Sequence, residues 1–219
     1  PPGSTIKPMF GLGGLHYGLV DWNTAISDPG YFTLPGDSHR FRDHKKTGHG
    51  SVNMHKAQIV SCDTYFYVMS YRMGIEKMNT WMRQFGFGEK TGVDLPSESS
   101  GLYPSPEWKM RTRNAKWSRG ETISVSIGQG AFTSTPLQLA MATAITANQG
   151  NKVIPHVLRE SRGAKPFKVH NGTHGKIDFN GQEEDWIKMR EAMVDVIQSG
   201  TGRGIKSGLQ YSIAGKTGT

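Results

Sequence analysis

Glycine and proline interrupt this chain so often that only a few stretches are long enough to be regular. The 219 residues hold 28 glycines and 11 prolines without a collagen-like period, so these residues mark turns, tight loops and helix ends. A helix start is expected at Ser4, followed by a glycine-rich apolar stretch toward Val20. Residues 21–53 read as loops with short strands. Residues 54–85 turn helical, with breaks near Ser61-Cys62-Asp63 and at Gly74. There Met78, Trp81, Met82 and Phe85 recur at three- and four-residue spacing, as one buried helix face does. Residues 86–120 read as loop, broken by Pro96, Pro104 and Pro106. A strong helix then opens at Thr135, with Pro136 in its first turn, Gln138 completing a capping box and Gly150 as the stop. Leu137, Met141, Ala144 and Ile145 are its expected apolar stripe. A further helix is expected over 183–199, with Glu183, Glu184 and Asp185 at its positive end and Trp186, Met189, Met193 and Val196 on one face. Leu209, Tyr211 and Ile213 alternate with smaller or polar residues, which predicts a half-buried strand leading into Lys216. The fold class is α+β and helix-rich, without internal repeats.

Composition narrows the functional classes. Lys and Arg number 26 against 18 Asp and Glu, a net charge of +8 that suits an anionic partner. Nucleic acid is not expected as that partner. The basic stretch between Trp108 and Trp117, carrying Lys109, Arg111, Arg113 and Lys116 with Arg119 beyond, comes with no helix-turn-helix, zinc-finger or RNA-binding signature. It reads as a solvated loop facing an anionic polymer or a partner. The loop Gly200-Thr201-Gly202-Arg203-Gly204 lacks the Gly-Lys-Ser/Thr of a phosphate-binding loop and reads as a connection. The single cysteine excludes an internal disulfide framework. No run approaches the ~18 apolar residues of a membrane span.

Three short motifs carry chemistry. In Ser4-Thr5-Ile6-Lys7, residues three apart share a helix face, which brings a lysine within reach of a hydroxyl. Pro8 places this turn at a helix N-terminus, where the dipole favours negative charge on an attacking oxygen. A neutral lysine beside a serine is a workable base–nucleophile pair. By itself the pattern is weak, since Ser-x-x-Lys arises by chance on the order of once in a chain of this length. Ser61-Cys62-Asp63 offers a proton-passing hydroxyl and a carboxylate, or else an ordinary helix cap. Lys-Thr-Gly occurs at Lys46, Lys90 and Lys216, and only Lys216 follows an alternating strand.

In this order the three motifs resemble those of the penicillin-recognising serine enzymes. Residues 1–8 and 61–67, Phe85-Gly86-Phe87-Gly88, residues 91–96, Ile127-Gly128-Gln129-Gly130 and Thr135-Pro136-Leu137-Gln138 extend the likeness to class B penicillin-binding proteins. Asp63, where most members carry Asn, with Trp108-Lys109 and Trp117, points to their rod-elongation branch. The resemblance implies a penicillin-binding, serine β-lactamase-like transpeptidase fold, an antiparallel sheet flanked by a helical region, over residues 1–219 with no second domain. It implies a D,D-transpeptidase in which Ser4 forms an acyl-enzyme from D-Ala-D-Ala stem peptides, Lys7 is the base, and Ser61 and Lys216 pass the proton to the leaving amine. Asp63 would stand beside Lys7. Thr217, Gly218 and Thr219 would bind substrate with Lys216, and the N–H groups of Ser4 and Thr219 would form the oxyanion hole. No catalytic cofactor is expected. Expected partners are peptidoglycan stem peptides, β-lactams, a SEDS-family glycosyltransferase and elongation-complex proteins, at the periplasmic face of the inner membrane. The family's flanking sheet strands, N-terminal pedestal and membrane anchor are expected to lie outside this stretch. A serine β-lactamase and a non-catalytic penicillin-binding sensor are the alternatives; no Glu stands in a class A deacylation context.

Cys62 separates two candidate catalytic residues, so its side chain is expected to point away from theirs. Asp28, His39, Asp43, His44 and His49 lie upstream. One thiolate, one imidazole and two carboxylates make a closed tetrahedral zinc site, and Asp28, Asp43, His49 and Cys62 are the expected set. Such a site would pin the irregular 28–49 loop against Ser61. The alternative is a buried inert thiol with solvated histidines. A structural zinc in some elongation-type members of the resembled family favours the metal.

Overall fold

The computed structural model describes residues 1–163, 167–168 and 174–218. Seven α-helices and six short strands follow one another among them: α1 (Lys7–His16), β1 (Ile26–Asp28), β2 (Tyr31–Thr33), β3 (Arg40–Arg42), β4 (Gly50–Val52), α2 (Met54–Ile59), α3 (Asp63–Arg83), α4 (Pro106–Arg113), α5 (Arg119–Ser126), α6 (Pro136–Ala147), β5 (Glu160–Ser161), β6 (Phe167–Lys168) and α7 (Glu183–Gln198). The strands form three two-stranded antiparallel ladders, β1 with β4, β2 with β3 and β5 with β6. Pairing of Asp28 with Gly50 in the first ladder brings Asp28 beside His49, two chain segments that sequence separation would keep apart. No described helix is long and apolar enough to cross a membrane.

The central helix is α1, which enters from a 3-10 turn over Gly3–Ile6. Its glycines exist because neighbouring side chains lie directly on its backbone. A Cβ at Gly13 would stand 2.6 Å from the Trp81 ring, and one at Gly14 would stand 2.3 Å from Met69 Sδ, both carried by α3. Trp81 Nε1 also donates to the Met9 carbonyl at 2.7 Å. Met78, Trp81, Met82 and Phe85 are fully buried, as their spacing predicts. The break expected at Gly74 is real: φ 75 and ψ 160 interrupt the helical dihedrals of α3 there.

Four expectations need correction. The basic stretch is not a loop. Ser105 caps α4, which includes Trp108 to Arg113, and Ser118 with Glu121 forms a full capping box on α5. Lys109 pairs with Glu121 at 2.6 Å across the two helices. In α6 the cap, the proline and the capping box are as expected, but the buried face is Gln138, Ala142, Ile145 and Thr146, leaving Leu137, Met141 and Ala144 half-covered. Gln138 is fully buried because it ties loops together: its Nε2 donates to Glu89 O at 2.6 Å and Ser100 O at 2.7 Å. The helix start expected at Ser4 is a 3-10 turn over Gly3–Ile6, and the α-helix itself begins at Lys7 and ends at His16. Finally, residues 209–216 form no strand; among the described residues no segment lies alongside to complete a ladder, and the Gly215 N–H instead donates to Met193 O at 3.0 Å.

Candidate active site

Ser4 is buried, 7% exposed, in the 3-10 turn ahead of α1. That turn is held from both sides. The Gly3 N–H donates to Gly128 O at 3.0 Å, and Thr5 Oγ1 donates to Pro2 O at 2.7 Å. Gly128 has φ +73, and a Cβ there would fall 2.2 Å from Gly3 O, so only glycine allows this approach. The Lys216-Thr217-Gly218 segment runs along the opposite side, since a Cβ on Gly218 would meet Thr5 Cγ2 at 2.9 Å.

Ser61 joins α2 to α3 in a left-handed conformation, φ 55, uncommon for a residue with a side chain. Its hydroxyl lies between two lysines. Lys216 Nζ donates to Ser61 Oγ at 2.8 Å, and Lys7 Nζ stands 3.2 Å from the same oxygen. Lys7 Nζ also donates to Ser61 O at 2.8 Å and to Asp63 Oδ1 at 2.6 Å. These last two acceptors use two N–H bonds, which a neutral amine can supply while its lone pair stays free. The Ser4 hydroxyl has no hydrogen-bond partner among the described residues, so Lys7 approaches the Ser61 loop more closely than the serine one turn before it.

The electrostatics separate the two lysines. Burial pulls the Lys7 ammonium below its ordinary pKa; the Asp63 carboxylate pulls it back up but does not prevail. Burial, then repulsion from Lys7, lowers Lys216 to about 7, with Asp63 opposing. Burial is thus the leading cause for both lysines, and repulsion from Lys7 adds to the lowering of Lys216.

The four expected metal donors also converge. One ligand atom from each of Asp28, Asp43, His49 and Cys62 lies within 4.8 Å of the others. Cys62 Sγ turns away from Ser61 and Asp63 and donates to Asp28 Oδ2 at 3.4 Å, and the same oxygen stands 2.8 Å from His49 Nδ1. Burial would raise the Asp28 carboxyl, but hydrogen bonds, those of the Gly30 and His49 N–H groups among them, hold it at about 2. Burial drives the Cys62 thiol upward, so it is protonated unless a cation displaces the proton. Two buried carboxylates, a nearly covered imidazole and a thiol facing one another fit a closed zinc site. His39 lies outside the set with its ring on Phe41, and His44 sits half-exposed, 3.1 Å from Asp43 Oδ1.

Sequence reasoning missed several supports. Asp43 Oδ2 accepts from the N–H groups of Asp63 at 2.6 Å and Thr64 at 3.2 Å, capping α3 from a distant loop. Thr201 and Thr217 hydroxyls lie 2.6 Å apart. Gly128 enters the sequence reading only within Ile127-Gly128-Gln129-Gly130, as part of the family resemblance, with no role of its own. Thr219, expected in the oxyanion hole, lies outside the described residues.

The chain is 78% identical over 219 residues to the peptidoglycan D,D-transpeptidase MrdA of Acinetobacter baumannii, covering 100% of this chain and 32% of that protein. It is 38% identical over 216 residues to MrdA of Escherichia coli K12, covering 99% of this chain and 31% of that one. It thus spans about a third of the length of the curated relatives it matches. Among solved structures, Pseudomonas aeruginosa PBP2 in complex with WCK 5153 superposes with a TM-score of 0.93 at 38% identity, over 100% of this chain and 50% of that one. The complex of PBP2 and MreC from Helicobacter pylori gives 0.88 at 36% identity, over 100% and 39%. The penicillin binding protein transpeptidase domain model matches residues 1–219 throughout, and the chain belongs to that family.

Proposed function

We propose that this chain carries the acylation site of a peptidoglycan D,D-transpeptidase of the rod-elongation machinery, with Ser4 as nucleophile. The reading rests on one observation above all: two lysines from distant segments meet at the Ser61 hydroxyl while the Lys216 segment runs along the Ser4 turn. Ser4 Oγ attacks the carbonyl carbon between the two D-alanines, and its proton passes to the neutral Lys7 amine. The N–H of Ser4, and that of Thr219, stabilise the oxyanion. As the C–N bond breaks, the departing D-alanine amine takes a proton through Ser61 from the lysines, and an ester on Ser4 remains. Lys216, Thr217 and Thr219 bind the terminal carboxylate, with Gly218 leaving room for the substrate backbone. A second stem's amine attacks the ester, forms the new C–N bond and returns a proton to Ser4. Asp63 holds Lys7 in place, and its charge opposes the loss of the lysine's proton.

A β-lactam would follow the first half of this course. With no deacylating Glu in the class A context, the acyl-enzyme is long-lived; rapid turnover of a chromogenic cephalosporin would instead favour the β-lactamase reading. Penicillin labelling without transfer in the full-length protein would favour a sensor. Intact-mass analysis of the full-length enzyme is expected to show one penicilloyl adduct, absent in Ser4→Ala; an adduct persisting in that variant would displace Ser4 from this role.

Asp28, Asp43, His49 and Cys62 would hold a structural zinc that fixes the 28–49 loop to the Ser61 turn and takes no part in the reaction. Protein purified without chelators is expected to carry about one zinc per chain, and Cys62→Ala to lose it. Metal analysis finding none would end this reading. The H. pylori PBP2 complex with MreC supports elongation-complex partners; a SEDS-family glycosyltransferase among them and a place at the periplasmic face of the inner membrane are part of the same proposal.

A further inference from the structure

Beside Ser61 the surface opens into a groove of about 560 Å³, lined by His44, Lys45, His49, Val60, Thr201 and Arg203 among others. Its walls are fastened to the catalytic motifs. The Thr201 N–H donates to Ile59 O at 3.2 Å, and the Thr201 hydroxyl meets that of Thr217. Val60 immediately precedes Ser61. On the other side the His44 N–H faces Asp63 Oδ2 at 3.3 Å. The groove therefore begins where Ser61, Asp63 and Thr217 end.

Its charge has one sign. No Asp or Glu lines it, and neither Lys45 nor Arg203 pairs with a carboxylate among the described residues. The acids whose carboxylates contact the lining residues, Asp28 on His49 and Asp43 and Asp63 on His44, are already engaged by His49, by backbone N–H groups and by Lys7. Lys216 is occupied with Ser61 and Thr217. Lys45 and Arg203 are thus surplus to binding the donor's terminal carboxylate.

Resting on the transpeptidase reading above, we propose that this groove is the subsite for the acidic stem of the acyl acceptor. By microscopic reversibility the incoming amine retraces the path of the outgoing one, past Ser61. Its nitrogen bonds to the ester carbonyl, the C–O bond to Ser4 breaks, and the amine proton passes by Lys7 and Ser61 to Ser4 Oγ. A carboxylate on the carbon bearing that amine replaces that of the departed D-alanine at Lys216 and Thr217. The rest of the acceptor peptide leaves along the groove, where further carboxylates meet Lys45 and Arg203.

The test uses the full-length enzyme, a thioester donor and three acceptors: free D-alanine, an acidic stem-like peptide, and the same peptide with its remote carboxylate amidated. In the Lys45→Gln, Arg203→Gln double variant, the half-saturating concentration of the acidic peptide should rise about tenfold. Use of D-alanine and of the amidated peptide should stay within about twofold, as should the penicillin acylation rate. Equal losses with all three acceptors, no loss with any, or a matching loss of penicillin acylation would each overturn the proposal. If the wild-type enzyme takes no penicilloyl adduct, the transpeptidase reading itself fails, whatever the acceptor data give.

Discussion

Gly128 and Gly130 occupy one turn and share a left-handed backbone, φ +73 and φ +68, yet their surroundings differ. A Cβ on Gly130 would find Ser124 Cβ at 3.5 Å, an ordinary contact. A Cβ on Gly128 would lie 2.2 Å from Gly3 O and 2.7 Å from Gly3 N. Alanine at either position is held in a conformation that costs about 1–2 kcal/mol. At Gly128 the Gly3 backbone must also retreat by about 1 Å to reach van der Waals distance. That breaks the hydrogen bond from the Gly3 N–H, another ~0.5–1.5 kcal/mol. Gly130→Ala should therefore destabilise by about 1–2 kcal/mol and Gly128→Ala by about 1.5–3.5 kcal/mol. The larger difference is kinetic. Ser4, the proposed nucleophile, follows Gly3, and displacing a nucleophile by about 1 Å costs roughly 10²-fold in rate. Urea unfolding and the second-order rate of penicillin acylation, read by intact mass on the full-length enzyme, separate the two effects. Gly130→Ala should acylate within about threefold of wild type, and Gly128→Ala about 10²-fold more slowly. Equal acylation by the two variants would refute the idea that the Gly128 carbonyl sets the position of Ser4.

Three further outcomes follow from the same structure. Lys216, with its pKa lowered to about 7, should lose the charge that attracts a carboxylate as pH rises through that region, giving acylation a basic limb there; Lys216→Arg, always charged, should be slower yet lack that limb in its pH–rate profile. Asp63→Asn removes the influence that raises the Lys7 pKa, so the acidic limb of the profile should move to lower pH, and a shift toward higher pH would contradict the role given to Asp63. Gln138→Leu keeps side-chain volume but strands the Glu89 and Ser100 carbonyls, and should cost about 3 kcal/mol against about 1 kcal/mol for Thr135→Ala, as denaturant titration would show.

Much of this architecture was legible where short-range chemistry decides it. The Gly74 break, the Thr135 cap and the Trp186, Met189 and Met193 face depend on dihedrals and periodicity within one segment. The convergence of Cys62 with Asp28, Asp43 and His49 was legible because a side chain between Ser61 and Asp63 was expected to point away from theirs. Helices α4 and α5 escaped because eight residues each leave too few turns for a period, and Gly120 masked the Ser118–Glu121 capping box. The stripe on α6 was misplaced because an apolar pattern cannot reveal that a glutamine is buried to satisfy loop carbonyls. Alternation at Leu209, Tyr211 and Ile213 records which faces a strand would present, but a ladder needs a neighbour that periodicity does not supply. Convergence of Lys7 and Lys216 on Ser61 is a tertiary fact, carried in the sequence only by the order of the motifs.

The break at Gly74 also has a mechanical meaning. Helix α3 grips α1 at two points, Asp63 on Lys7 and Trp81 on the Met9 carbonyl, one on each side of the break. Sliding α3 as a rigid rod would strain both grips together. Rotation about the Gly74 dihedrals would move the two halves separately, each packed on α1, the first through Met69 against Gly14 and the second through Trp81 against Gly13. Motions of packed helical segments run on the microsecond-to-millisecond scale. On that scale a turn at Gly74 would carry Asp63 relative to Lys7 without requiring Trp81 to leave the Met9 carbonyl.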